Sequence, residues 1–342
     1  MFGAQFGGWE ALKIYLCPMI YALIAVLLLA GMLVYFRIAD RYNIIDKPNE
    51  RSSHTTLTIR GGGIIFYLGV LAWFIWSGAT YPYFFAGLTL ITLISFLDDI
   101  LTLSNRIRIG IHLLSVVLLF LEVQLFDHTW WIVPIALILV IGTINAYNFM
   151  DGINGITAMY SFAVLLLLWL ANREIGFIDD RLLYCTAIAN GVFTFFNFRQ
   201  RAKCFAGDVG SVSMSFILIF AALSLILTTG NPIYILFFAV YGVDSVMTIV
   251  FRLFRRENIF KAHRTHLYQY LANEARGNRL VIATYYGVLQ VGIGLIALVT
   301  AKHPAGIQIN VALCILVLLV GLYTGIRQYV LVRRKLETVK PK

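Results

Sequence analysis

Apolar residues in this chain run in long unbroken stretches, divided by short polar segments. They neither alternate as in a half-buried strand nor recur along one helical face. Stretches of about 16–23 residues, near the length of helix that crosses a bilayer, fall at 14–36, 61–78, 82–97, 109–126, 131–148, 156–171, 182–198, 211–229, 232–251, 280–300 and 309–331. Helices apolar all round belong inside a membrane or a large core. The pattern therefore predicts an all-α, polytopic integral membrane protein with about eleven transmembrane helices. No pair of spans reads as an inverted repeat, so the whole of 1–342 is taken as one membrane-embedded domain with a basic tail at 332–342.

Composition agrees: 60% of the residues are hydrophobic and 13% charged, against roughly 45–50% and 25% in soluble domains. An ordinary soluble enzyme is excluded. The net charge of +10 would point to nucleic acid in a soluble protein, but its distribution explains it otherwise. About 22 of the 27 Lys and Arg lie in 37–60, 98–108, 149–155, 199–210, 252–279 and the tail after 331. Basic loops mark the cytoplasmic side, which predicts an outside N-terminus, a cytoplasmic C-terminus and no nucleic-acid partner. The start of the chain has neither a basic n-region nor a small-residue cleavage site, so the first span reads as retained. The four cysteines show no paired spacing, and neither disulfides nor zinc are expected.

Polar residues inside an apolar background carry the functional information, and nearly all of them cluster on the predicted cytoplasmic side. Asp98 and Asp99 end the third span in SFLDDI. Adjacent helical residues point about 100° apart, so each acid can serve a different partner; a solvated helix end is the plainer reading. In NAYNFMDGINGIT, Asn145, Asn148 and Asp151 are spaced by three and share much of one face. In KCFAGDVGS, a Gly-Asp-x-Gly-Ser turn opens the eighth span and can offer free backbone N–H groups to an anion, although Asp208 could equally be a plain N-cap. A long basic loop follows the ninth span with His263, Arg264 and His266. The first loop carries Asp46, Arg51, His54 and Arg60 ahead of Gly61–Gly63, a glycine run that lets backbone approach closely. Asp244, inside the ninth span, reads equally as a structural hydrogen-bond partner and as part of the site. Carboxylates beside a basic phosphate cradle are what divalent-cation-dependent phosphoryl chemistry needs.

These motifs in this order resemble the polyprenyl-phosphate N-acetylhexosamine-1-phosphate transferases. The resemblance rests on Asp98-Asp99, on the NxxNxxDG run from Asn145 to Gly152, on KxFxGDxGS from Lys203 to Ser211, and on the histidine motif, and it is strongest over 40–275. It implies transfer of a sugar-1-phosphate, GlcNAc or a deoxy relative, from a UDP-N-acetyl-hexosamine to undecaprenyl phosphate, with release of UMP. It implies Mg²⁺ as cofactor with Mn²⁺ as the alternative, a bacterial inner-membrane location and a site facing the cytosol. By carry-over, Asp98 or Asp99 positions or deprotonates the lipid phosphate, and Asp208, with Asp99, holds the metal. Asn145, Asn148 and Asp151 join the nucleotide pocket, and Phe205 stacks on uracil. His266, a catalytic candidate, contacts the diphosphate with Lys203 and Arg264; His263, Arg51 and His54 join the substrate-binding set. Beyond the two substrates and the lipid bilayer, the only partner considered is a second copy in a homodimer. Two departures stand out: Asn154 occupies the second acidic position of DGxDG, and HRTHLYQ replaces the clustered histidines HxHH. The second resembles the branch that starts O-antigen or capsule synthesis rather than the peptidoglycan translocase. The rivals are that phospho-MurNAc-pentapeptide transferase and a transporter without chemistry.

Overall fold

The computed structural model describes residues 6–46, 57–101, 103–259, 261 and 263–339. The protein is a bundle of helices: α1 (Phe6–Arg41), α2 (Ile64–Trp76), α3 (Pro82–Leu101), α4 (Asn105–Glu122), α5 (Ile132–Met150), α6 (Ile156–Ile175), α7 (Asp180–Asn197), α8 (Gly207–Thr229), α9 (Ala239–Phe254), a short α10 (Leu267–Gln269), α11 (Arg279–Thr300) and α12 (Ala305–Val339). Each stretch expected to span the membrane falls on a helical segment. Eight are long and apolar enough to cross a bilayer. The helix α2 has only 13 residues, while α4 and α7 carry charged residues in their first turns.

Polar residues punctuate these helices where the backbone needs them. Asp179, Asn231 and Asn278 each accept the N–H two residues on, at 3.0–3.1 Å, which satisfies a donor that every helix start leaves open. The ninth apolar stretch is not one continuous α-helix. Pro232–Phe238 forms a tighter 3₁₀ segment before α9. Gln290 of α11 repairs the join, donating to the Leu236 carbonyl (2.9 Å) and accepting from the Val240 N–H (3.1 Å).

The helix α8 runs through the middle, with 83% of its apolar window buried. It packs against α2, α3, α5 and α6. Ser211, Ser213 and Ser215 keep its first turns narrow, so neighbouring helices can come close. Their hydroxyls are spent on their own helix, Ser213 on the Val209 carbonyl (2.6 Å) and Ser215 on the Val212 carbonyl (2.8 Å). At the periphery, α1 and α12 are only 22% and 11% buried over their apolar windows. They expose Leu23, Val26, Leu27, Val317 and Leu318, the surface that lipid tails would cover.

The only strands among the described residues are β1 (Ile45–Asp46) and β2 (Thr58–Ile59), paired antiparallel with Ile45 opposite Ile59. This ribbon sits at the end of the bundle where the acidic residues collect.

Candidate active site

Backbone pairing brings the first loop onto the segment that opens α8. Ile59 bridges in parallel to Cys204, and the Phe205 N–H donates to the Ile59 carbonyl at 2.8 Å. Gly62 and Gly63 continue the ladder, donating to the carbonyls of Phe205 (2.9 Å) and Ala206 (3.1 Å). At Gly63 a Cβ would land on the backbone of Gly210, so the glycine run is what allows α2 to start against α8. The Tyr35 hydroxyl holds the Arg60 carbonyl at 2.6 Å. The ladder thereby delivers the Arg60 side chain to the N-terminus of α8.

Asp99 meets it there from α3. Its carboxylate is fully enclosed and accepts the backbone N–H groups of Asp208 (3.2 Å) and Val209 (3.1 Å). One helix thus caps another, with a negative group at the positive end of the α8 dipole. Gly207 makes room: its φ is +71°, and a Cβ would stand 2.6 Å from Asp99 Oδ2. Arg60 Nη2 lies 2.8 Å from Asp99 Oδ1 and 3.4 Å from Asp208 Oδ1. Burial opposes the charge on Arg60, but Asp99, Asp208 and Asp46 more than offset it and raise its pKa above the ordinary value. Two acids from separate motifs therefore converge on one permanent cation. The Asp208 side chain remains 25% exposed.

Asp98 turns the other way. Its Oδ2 is 2.7 Å from Arg108 Nη1, and its Oδ1 accepts the Leu103 N–H at 2.7 Å. The adjacent acids divide between two partners, as their helical offset requires.

The asparagine run reaches the same place. Asn148 donates to Ser211 Oγ at 3.1 Å, joining α5 to α8. Asp151 Oδ1 accepts the Thr157 hydroxyl at 2.5 Å. Burial pushes the Asp151 carboxyl up to about 6; the Thr157 bond works against this, and the charge on Asp208 adds to it. Asn145 is exposed and lies one turn further from that contact. Asn154 is buried and donates to the carbonyls of Arg199 (2.8 Å) and Gln200 (3.2 Å). A carboxylate could not make those bonds, so asparagine at this position holds the loop before α8.

The basic loop docks through Tyr268, whose hydroxyl donates to the Phe149 carbonyl at 3.0 Å. His266 is 2% exposed, its Nδ1 is 3.2 Å from Asp244 Oδ1, and its Nε2 has no partner. The His263 ring stacks on it at 5.0 Å. Burial, helped by His266 and Arg252, lowers the pKa of His263 to about 4, which keeps that ring neutral at pH 7. Arg264 and Lys203 are exposed and Phe205 is half-buried; the Lys203 N–H is tied to the Phe196 carbonyl at 3.0 Å. Arg51 and His54 lie outside the described residues.

Asn197 was not among the sequence-predicted residues, yet it accepts the Gly155 N–H (2.7 Å) and donates to the Cys204 carbonyl (2.8 Å). A single asparagine at the end of an apolar helix gives no signal of two such partners, one in each motif.

Among the described residues, no three His, Cys, Asp or Glu side chains converge as a metal cage. Hard divalent cations with a preference for oxygen need less, often one or two carboxylates plus substrate phosphates. The open carboxylate of Asp208 fits that requirement. Asp99, engaged by three N–H donors, could join only if Arg60 withdrew. Together the parts can neutralise a diphosphate and hold it beside acidic groups.

Residues 81–226 match glycosyl transferase family 4. The chain is 26% identical over 273 residues to the "Probable undecaprenyl-phosphate N-acetylglucosaminyl 1-phosphate transferase" of Bacillus subtilis, covering 73% of this chain and 75% of that protein. It is 26% identical over 302 residues to the undecaprenyl-phosphate alpha-N-acetylglucosaminyl 1-phosphate transferase of Yersinia pestis, covering 78% and 80%. A phospho-N-acetylmuramoyl-pentapeptide-transferase of Thermotoga maritima is 29% identical over 230 residues, covering 60% and 73%. The matched region runs from the start of α3 into α8 and encloses Asp98, Asp99, Asp151 and Asp208, so the stretch of this chain that is similar to glycosyl transferase family 4 carries the two acids, Asp99 and Asp208, that meet on Arg60.

Proposed function

We propose that the protein transfers an N-acetyl-hexosamine-1-phosphate to undecaprenyl phosphate, taking it from a UDP-sugar and releasing UMP. The observation that carries this is the meeting of Asp99 and Asp208 on Arg60 at the start of α8. The N-acetylglucosaminyl relatives align over 73% and 78% of the chain, against 60% for the pentapeptide transferase, which favours GlcNAc or a deoxy relative over a MurNAc-pentapeptide donor.

In this reading the phosphate oxygen of the lipid attacks the sugar-bound phosphorus of the donor. A new P–O–P bond forms to the lipid, and the old diphosphate bond breaks toward UMP. Such a reaction needs positioning and charge neutralisation more than covalent help from the protein. Asp208 is the residue that would hold Mg²⁺, or Mn²⁺ in its place, with Asp99 behind it. The cation, when bound, shields the charge of the diphosphate so that an anionic oxygen can approach. Arg60 supplies fixed positive charge on the same spot, and Asp99 keeps it there. Asp98, balanced by Arg108, is the acid available to position the lipid phosphate or take its proton. Asn148 and Asp151 line the nucleotide side, Phe205 is the ring for uracil, and His266, Arg264 and Lys203 address the leaving phosphate. The site faces the cytosol, where UDP-sugars are made, and the basic loops are on that side of the inner membrane.

A transporter would place its polar groups near the middle of the bilayer on broken helices, whereas these groups gather at helix ends. The test is the lipid product. Purified protein given undecaprenyl phosphate, Mg²⁺ and radiolabelled UDP-GlcNAc or its deoxy relatives should move label into the organic phase as a diphospho-sugar lipid. Label that binds but never becomes lipid-linked, with every donor tried, would contradict the reading.

A further inference from the structure

Asp244 lies within the ninth span on α9 and is 2% exposed, where a carboxylate persists only with partners or a task. Its Oδ1 accepts the Leu267 N–H (3.0 Å) and stands 3.2 Å from His266 Nδ1 and 3.3 Å from Thr248 Oγ1. Its Oδ2 accepts the Tyr286 hydroxyl at 2.7 Å. An ionised carboxylate only accepts, so a hydrogen bond between it and the ring requires the hydrogen on Nδ1. That leaves Nε2, which is buried and has no partner.

We propose that Asp244 is a positioning residue: it holds His266 with Nδ1–H turned into the carboxylate, so that Nε2 is the atom offered to the phosphates of the substrate. The inference rests on the transfer reading and adds to it a residue that reading does not use. A histidine kept only for packing would have both ring nitrogens satisfied, because an unpaired buried polar atom is costly. Here one nitrogen is fixed by the membrane-embedded acid while the other is left over. The ring also lies against the end of α5, with the Phe149 ring 6.2 Å away and Tyr268 bonded to the Phe149 carbonyl. Phe149 directly follows Asn148, so the ring lies where the loop meets the nucleotide motif. A hydrogen bond on one imidazole nitrogen sets the tautomer and aims the other, and a wrong tautomer is expensive even when geometry survives.

The rival is that Asp244 merely staples helices. Tyr286→Phe and Thr248→Val each remove one of its bonds and leave the histidine contact, so they serve as controls. The measurement pairs nitrogen NMR of histidine-labelled protein, at a pH where the ring is neutral, with UMP-release kinetics; signals of His266 are assigned by their loss in His266→Gln. The wild type should show a protonated Nδ1 and a bare Nε2. Asp244→Asn should mix the two tautomers and lower kcat roughly tenfold or more, with the KM for the UDP-sugar little changed. The two controls should keep the wild-type tautomer and rate. Should Asp244→Asn fail to fold, Asp244→Glu keeps the carboxylate and should keep the Nδ1–H tautomer. A wild-type ring protonated on Nε2 would overturn the proposal. So would a wild-type rate in Asp244→Asn, an equal loss of rate in Tyr286→Phe, or a mixed tautomer in Asp244→Glu. Wild-type protein without any transfer would sink the reaction itself, while the NMR arm still decides the role of Asp244.

Discussion

Asp99 and Asp208 share one guanidinium but stand in different surroundings, and the difference predicts what each substitution does. Asp208 is open to solvent on one side, so Asp208→Asn should leave the fold intact and cut UMP release by about 10²-fold, the usual loss when a group stabilising transition-state charge is removed. Asp99 is enclosed and caps α8. Gly207→Ala would place a methyl group against that carboxylate at φ +71° and should cost about 1–2 kcal/mol from the left-handed backbone alone, read as a lower thermal midpoint in detergent. Asp151 gives a pH test. Burial pushes its carboxyl up to about 6, and the Thr157 hydroxyl works against this with a bond that favours the ionised form. Thr157→Val should therefore raise that pKa and move the acid limb of the transfer profile to higher pH; an unmoved limb would remove Asp151 from the account. The sequence made the acids visible because they interrupt apolar runs. It did not show that Asn154 donates to two carbonyls, since an asparagine in a glycine-rich turn has many equivalent uses.

At the scale of elements, the site depends on a backbone ladder from Ile59 to Gly63 against Cys204–Ala206. Gly63 starts α2 in contact with the Gly210 backbone, and backbone cannot step aside as a flexible side chain can. Gly63→Ala should separate α2 from α8, destabilise the protein by about 1–3 kcal/mol and lower transfer with it, since Arg60 rides on the same ladder. A stable and fully active variant would show that the two segments need not touch. The apolar stretches predicted helices well because length and hydropathy are local properties. The ladder was not legible, because it pairs residues about 145 positions apart and only the glycine run hinted at a close approach. The 3₁₀ segment at Pro232–Phe238 was hidden for a similar reason: its Leu236 carbonyl and the Val240 N–H just beyond it are satisfied by Gln290, on a helix that comes later.

For the molecule as a whole, the asymmetry of Lys and Arg predicts sidedness. In a background with the native cysteines replaced, a membrane-impermeant thiol reagent should label Lys302→Cys from outside intact cells and reach Arg256→Cys only after the membrane is opened; both native side chains are exposed. The reverse pattern would put the site on the wrong side for a cytosolic UDP-sugar. Two positions depart from the pattern the motifs resemble, HRTHLYQ in place of clustered histidines and Asn154 in place of an acid, and Asn154 serves as a donor to two carbonyls. The central claim is that residues from four separated motifs form one site for sugar-phosphate transfer to a lipid. It is tested most directly by UMP release from purified protein with undecaprenyl phosphate, Mg²⁺ and a panel of UDP-N-acetyl sugars. Release that requires the lipid, stops with EDTA and is lost in Asp208→Asn is the predicted result. Folded wild-type protein that releases no UMP with any donor, or an Asp208→Asn variant that releases it at the wild-type rate, would contradict the account.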